Sequence, residues 1–389
     1  MNGNIIVRYF LGSDFVLKFN SDGKFKIMQI ADVQEIPSVS EDTMSLVSAA
    51  VDRENPDLII FTGDQIKGYS IKFKNRPDLV EKTINKILEP IVNKSIPFMV
   101  TYGNHDSECG VSKLKQHEIY SKYSCFVVGN VRNRDDVGTA DVQIFSKDEQ
   151  RPVFNIYTID SHGKAENGGG YAPVNAEQIE WYETERERLK AENGVYMPSL
   201  VFQHIPIPEF FDVIKKVPKG TRGAVPAYGA HENEYFTLFD ETKEQGGFML
   251  ESPAAPDENT GEFKAMSEKG DVLGIYVGHD HNNSFVVNYQ GIDLGYTQGT
   301  GFNVYGPGEN RGVRIFELNE ENPRDYKTYT LTFGELCGTK IKTPVKEFIY
   351  KHAPTSPRAI KPILIKVGIG IALAAAAYGA YKFFTGFNL

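Results

Sequence analysis

Five apolar runs in this chain each end in a short polar cluster, and that pattern constrains the fold more than any other feature. The clusters are Asp32-Val33-Gln34, Gly63-Asp64-Gln65, Gly103-Asn104-His105-Asp106, Gln203-His204 and Gly278-His279-Asp280-His281. Before them stand runs such as Leu58-Ile59-Ile60-Phe61, Pro97-Phe98-Met99-Val100, Ser199-Leu200-Val201-Phe202 and Val272-Leu273-Gly274-Ile275-Tyr276-Val277. Short apolar runs bounded by glycine or polar residues read as buried strands. Helical patterns separate the first three. Ser40 is a good N-cap, and Met44, Val47, Ala50 and Val51 share a face; Val80, Ile84, Ile87, Leu88 and Ile91 form the stripe of a helix over about 78–94. The order βαβαβ predicts an α/β fold with a parallel sheet, in which sites form at the carboxyl ends of strands. All five clusters sit at such ends, and if they meet, residues 32–281 lie in one domain.

Elsewhere the pattern predicts a hairpin, with Phe15–Phe19 and Phe25–Met28 flanking Asn20-Ser21-Asp22-Gly23. Asn175 and Gln178 form a capping box for a helix to about Asn193. Residues 209–270, rich in Gly, Pro and charge, read as an insertion over the site mouth. Strands are expected again at Phe285-Val286-Val287 and Val313-Arg314-Ile315-Phe316.

The chain has 389 residues, 41% of them hydrophobic, enough for a large core. A net charge of −9 argues against a broad nucleic-acid-binding surface, so no nucleic acid is expected as a stable partner. Cys109, Cys125 and Cys337 are odd in number and widely spaced, which indicates neither a disulfide framework nor a thiolate zinc site. The N-terminus carries no signal-peptide pattern. Residues 351–362 read as a linker. Ile363 to Phe384 is apolar apart from Lys366, Lys382 and small or Tyr residues, and its 22 residues would span about 33 Å as a helix. A transmembrane helix over 363–384 is therefore expected. Lys351, Arg358 and Lys361 before it would keep the catalytic part, residues 1–350, cytoplasmic on a membrane-associated protein.

The clusters pool carboxylates, an amide and imidazoles, the donor set for two neighbouring divalent ions of intermediate softness. In this order, Asp-x-Gln, Gly-Asp, Gly-Asn-His-Asp, a lone His after a strand and Gly-His-Asp-His resemble the calcineurin-like metallophosphoesterase superfamily. The details look closest to its purple-acid-phosphatase-related single-domain branch, over about residues 14–335. The resemblance implies a four-layer α/β/β/α sandwich and a dinuclear-metal phosphoesterase. Its substrates would be phosphomonoesters, attacked at phosphorus by hydroxide held between two divalent metals (manganese, iron, zinc or magnesium). Carried over position by position, Asp64 would bridge the ions, Asp32 and His281 would hold the first, and Asn104, His204 and His279 the second. The resemblance further implies that His105 would meet the substrate, protonating the leaving oxygen or steadying the charge on phosphorus, with Asp106 orienting it.

Gln34 departs from the family's usual Asp-x-His. Its amide oxygen is a harder and weaker donor than imidazole; either it still holds the first metal or water takes that place. Lys67 stands where the purple branch has its iron-ligating Tyr, with Tyr69 two residues beyond, which argues against a ferric site. The alternatives are a phosphodiesterase or nuclease, and a catalytically weak metal-binding scaffold of the same fold. His162 is expected as a loop residue rather than a phosphate contact, and His117 and His352 as surface residues. Gly301 and Gly306 are expected in turns.

Overall fold

The computed structural model describes residues 16–352, apart from 167 and 339. Its frame is two large sheets. The five-stranded sheet runs in the order Lys327–Thr332, Gly312–Asn319, Lys24–Ile30, Leu58–Thr62 and Phe98–Thr101. The last three strands are parallel, as the βαβαβ pattern predicts, and Gly312–Asn319 is antiparallel to Lys24–Ile30. The eight-stranded sheet includes Ile292–Tyr296, Val272–Val277, Ser199–Gln203 and Pro152–Ile159 as adjacent parallel strands, with antiparallel strands outside them.

Alternation along the strands sorts the apolar side chains into layers. Met28 and Ile30 pack with Val47, Ala50 and Val51 from the helix Glu41–Glu54, and with Ile84 and Ile87 from the helix Pro77–Val92. Phe25 and Ile27 face the other way, onto Phe154, Ile156, Leu200 and Phe202 of the second sheet. On that sheet's far side, Tyr157, Val201 and Ile275 meet Tyr182 and Leu189 of the helix Ala176–Asn193. Phe210, Phe236 and Phe263, from within residues 209–270, join the same cluster. The capping box at Asn175 and Gln178 is present.

Four expectations change. Residues 16–19 do not form a hairpin with the strand at 24–30: Phe19 N donates to Phe145 O at 2.9 Å and Phe145 N to Leu17 O at 2.8 Å, tying the segment to the strand Asp136–Phe145. His117 is buried, edge-on to Phe126 at 5.0 Å. Gly301 is a close-approach position, since a Cβ there would lie 1.7 Å from Val33 O. Among the described residues no helix is long and apolar enough to cross a membrane. The membrane-associated localisation expected from the tail is therefore not supported, and residues 363–384 themselves lie outside the described residues.

Candidate metal centre

Each of the five clusters begins within three residues of the end of a strand. The strands Lys24–Ile30, Leu58–Thr62, Phe98–Thr101, Ser199–Gln203 and Val272–Val277 deliver Asp32, Asp64, Asn104, His204 and the His279/His281 pair. The chain turns sharply to aim these groups inward. Asp32, Gln34, Asp64 and His279 have φ of 53°, 37°, 54° and 70°, left-handed values that L side chains avoid. Each such residue costs on the order of 1–3 kcal/mol, strain that recurs at functional sites.

The side chains converge. One ligand atom each from Asp32, Asp64 and His204 lie within 4.8 Å of one another, all buried. His204 Nε2 stands 3.5 Å from Asp64 Oδ2, 3.1 Å from Asn104 Oδ1 and 3.2 Å from His279 Nδ1. His281 Nε2 stands 3.2 Å from Asp32 Oδ1. Backbone carbonyls fix which ring nitrogens face inward. His204 Nδ1 donates to Thr62 O and His281 Nδ1 to Tyr305 O, each at 2.9 Å, so both rings turn an Nε2 lone pair to the centre.

Acceptors therefore face acceptors, an arrangement that a cation resolves. Asp32 Oδ1 is buried with no hydrogen-bond donor among the described residues, and neither Asp32 nor Asp64 has a Lys or Arg partner there. Two buried carboxylates without a countercharge are costly. The donor set, mixed oxygen and imidazole nitrogen, fits divalent ions of intermediate softness.

In the metal-free protein a proton takes part of that role. Burial works against a charge on His204, but the Asp64 and Asp32 carboxylates outweigh it and raise its pKa to about 9. A raised imidazole pKa stabilises the fold fully below the unfolded value of about 6.5, and that contribution is lost as pH rises through the folded value. The chelated protein should therefore lose on the order of 3 kcal/mol between about pH 6.5 and 9. With manganese bound the loss should shrink, because the cation displaces the proton. Melting curves across this range check it, and equal slopes with and without metal would count against the site.

Gln34 reaches the centre with its nitrogen. Nε2 donates to Asp64 Oδ2 at 2.7 Å and lies 3.3 Å from His281 Nε2, while Oε1 lies 3.4 Å from the Tyr69 hydroxyl. The amide thus supports Asp64 instead of turning its oxygen inward. Asp106 also departs from expectation. Its carboxylate accepts from the backbone N–H of Gly103 (2.7 Å), Asp64 (2.8 Å), Gln65 (2.9 Å) and Ile66 (3.3 Å), clamping two loops together. His105 Nδ1 instead meets Glu108 Oε2 at 2.6 Å, and its ring packs on Tyr69 at 4.6 Å. The loops touch closely enough that a Cβ on Gly103 would lie 2.1 Å from Asp64 Oδ1. Gly103→Ala should shift Asp64 and lower metal affinity by about 10–100-fold, as loss of ligand support does; metal titration measures it.

Other residues at the centre carried no sequence signal. Tyr305 stacks on His281 at 4.2 Å, and its hydroxyl reaches Glu251 Oε2 at 3.2 Å. Tyr171 packs edge-on to His279 at 4.5 Å. Only Glu108 was accessible from spacing, three residues beyond His105. His162 is bound at the helix start, with Nε2 2.7 Å from Gln178 Oε1. The three cysteines are free, as expected.

A sequence model described as calcineurin-like phosphoesterase matches residues 25–283. The chain belongs to that family. One similar relative is the "Probable inactive purple acid phosphatase 14" of Arabidopsis thaliana, 28% identical over 346 residues that cover 78% of each chain. Another is the "Phosphatase DCR2" of Saccharomyces cerevisiae, 29% identical over 345 residues, covering 80% of this chain and 54% of the yeast protein. Among solved structures, a dimetal phosphatase from Danio rerio is 12% identical, with a TM-score of 0.48 over 79% of this chain and 99% of its own. Membership agrees with the resemblance that the five clusters carry. For this family member the fold is a mixed α/β arrangement of several sheets, and the family implies phosphorylated substrates.

Proposed function

We propose that this chain hydrolyses phosphomonoesters with two bound divalent ions. The observation that carries the reading is the inward convergence of Asp32, Asp64, Asn104, His204, His279 and His281 as acceptors. Asp32 and His281 group on one side, and Asn104, His204 and His279 on the other. Asp64 touches both groups, through His204 and through the Gln34 amide that also contacts His281. This grouping supports Asp64 as the shared ligand. When bound, the ions would acidify a water and offset charge on the phosphoryl oxygens.

The protein's own groups would do the rest. Gln34 and the His105 N–H hold the two oxygens of Asp64, the latter at 2.8 Å. Asp106 fixes the spacing of the two loops. Glu108 holds His105 Nδ1, leaving Nε2 for the leaving-group oxygen. We assign residues 1–350 to one catalytic unit with 209–270 as its insertion. The three apolar clusters support reading it as a four-layer α/β/β/α sandwich.

A second reading is a scaffold that binds metal without useful turnover. Gln34 in place of His favours it, as does the word "inactive" in the name of the Arabidopsis relative. Purified chain should contain about two metal equivalents by mass spectrometry and cleave p-nitrophenyl phosphate with manganese, and chelation should end turnover. Two bound metals without hydrolysis of mono- or diesters would select the scaffold.

A further inference from the structure

A groove of about 730 Å³ opens beside the metal-ligand loops, between residues 36–42, residues 67–72 and the helix Pro344–His352. The chain carries a net charge of −9, yet this groove is lined by Lys67, Lys72, Lys342 and Lys346 against two carboxylates, Glu41 and Asp42. Lys342 is answered by Glu41 at 2.6 Å. The other three have no carboxylate within ion-pair reach among the described residues. Lys67 Nζ donates to Asn303 O at 2.9 Å, Lys346 Nζ to the Asn303 amide oxygen, and Lys72 Nζ to Ser38 Oγ at 3.2 Å.

These ammoniums crowd one another. Lys67 and Lys346 lie 5.3 Å and 5.5 Å from the centroid of the same Tyr350 ring. Burial and then repulsion from Lys346 lower the pKa of Lys67 against Glu35; burial lowers that of Lys346, with Arg311 and Lys72 adding to it against Glu35 and Glu347. Glu35 lies below with its oxygens committed to Ser40 N, Thr43 Oγ1 and Asn303 Nδ2. Lys67, Lys72 and Lys346 thus face the groove without a direct ion-pair partner among the described residues, and an anionic ligand there would supply one.

The groove also adjoins the centre. Lys67 Nζ lies 5.2 Å from the Tyr69 ring, which packs on His105 at 4.6 Å, with the Tyr69 hydroxyl 3.4 Å from Gln34 Oε1. The Tyr69 ring thus lies between Lys67 and the His105 and Gln34 side chains beside the metal-ligand cluster. We propose that Lys67, Lys72 and Lys346 bind a second phosphate of the substrate, so that the preferred substrates are phosphomonoesters bearing another phosphate group. This rests on the phosphomonoesterase reading. Compact, rotatable ammonium donors suit a phosphate dianion held as a point charge.

The test uses the full chain with manganese and α,ω-alkanediol bisphosphates of graded spacer length, each beside its alkyl monophosphate. At the best spacer, kcat/KM should exceed that of the monophosphate by about tenfold, and Lys72→Gln/Lys346→Gln should remove most of that advantage. Calorimetry with the matching bisphosphonate gives a readout apart from turnover: binding to metal-free protein should depend on the same lysines. An inositol bisphosphate offered free, and as the phosphoinositide headgroup on phosphatidylcholine vesicles, distinguishes a soluble from a lipid source. A preference over the singly phosphorylated counterpart in either form supports the subsite. Equal rates for mono- and bisphosphates at every spacer, or an advantage that survives the double substitution, overturn it while leaving the metal site standing. Lysine-dependent bisphosphonate binding without any hydrolysis supports the subsite and defeats the catalytic reading alone.

Discussion

Asp64→Asn should lower phosphomonoester turnover by on the order of 10³-fold or more, a barrier increase of about 4 kcal/mol. Asp64 faces His204 in one group and reaches His281 in the other through the Gln34 amide. Its Oδ2 accepts from Gln34 Nε2 at 2.7 Å and faces His204 Nε2 at 3.5 Å, while Oδ1 accepts from His105 N at 2.8 Å. An asparagine keeps the shape but loses the charge that offsets repulsion between two cations, and it points an N–H where a lone pair is needed. Metal content should fall with the rate. The same substitution removes the largest attraction that holds a proton on His204. The pH-dependent loss of stability in the chelated protein should therefore flatten in Asp64→Asn. Three readouts follow from one carboxylate: rate, stoichiometry and the slope of melting temperature with pH. Wild-type turnover with two metals bound in this variant would end the reading of Asp64 as the shared ligand.

The placement of these groups was legible because strand ends are legible. Buried runs such as Leu58–Phe61 stop at glycine, and the next polar residue is delivered to the sheet edge. Period-2 patterning identifies a strand but not its partner, so residues 16–19 suggested a local hairpin although they bond to Phe145, more than 120 residues away. The left-handed turns at Asp32, Gln34, Asp64 and His279 had no signature, since no glycine occupies them. Sequence adjacency made Asp106 the partner of His105. The tight turn instead points Asp106 back into four backbone N–H groups, and a short helical turn over Asp106–Cys109 brings Glu108 round to the ring. Tyr171, Glu251 and Tyr305 come from irregular segments whose path depends on tertiary packing, so no periodicity exposes them.

The roles of Glu108 and Asp106 separate experimentally through His105. Burial opposes a charge on His105, but Asp64 and the Glu108 hydrogen bond overcome it and raise its pKa. A general acid must hold its proton at the working pH, so the Glu108 hydrogen bond, which favours the imidazolium and involves no metal ligand, extends activity toward higher pH. His105→Ala should cost about 10²–10⁴-fold in kcat, the usual contribution of a positioned acid. Glu108→Gln removes a partner that favours the imidazolium and should move the basic limb of the rate profile to lower pH. That direction holds with metals bound, because the substitution leaves their field unchanged. Asp106→Asn acts differently: its new amide N–H groups would confront backbone donors, costing about 2–4 kcal/mol in stability and loosening both ligand loops. Melting temperature and metal affinity should fall, while the pH of the basic limb stays where it was. A basic limb that moves in Asp106→Asn and not in Glu108→Gln would return the orienting role to Asp106.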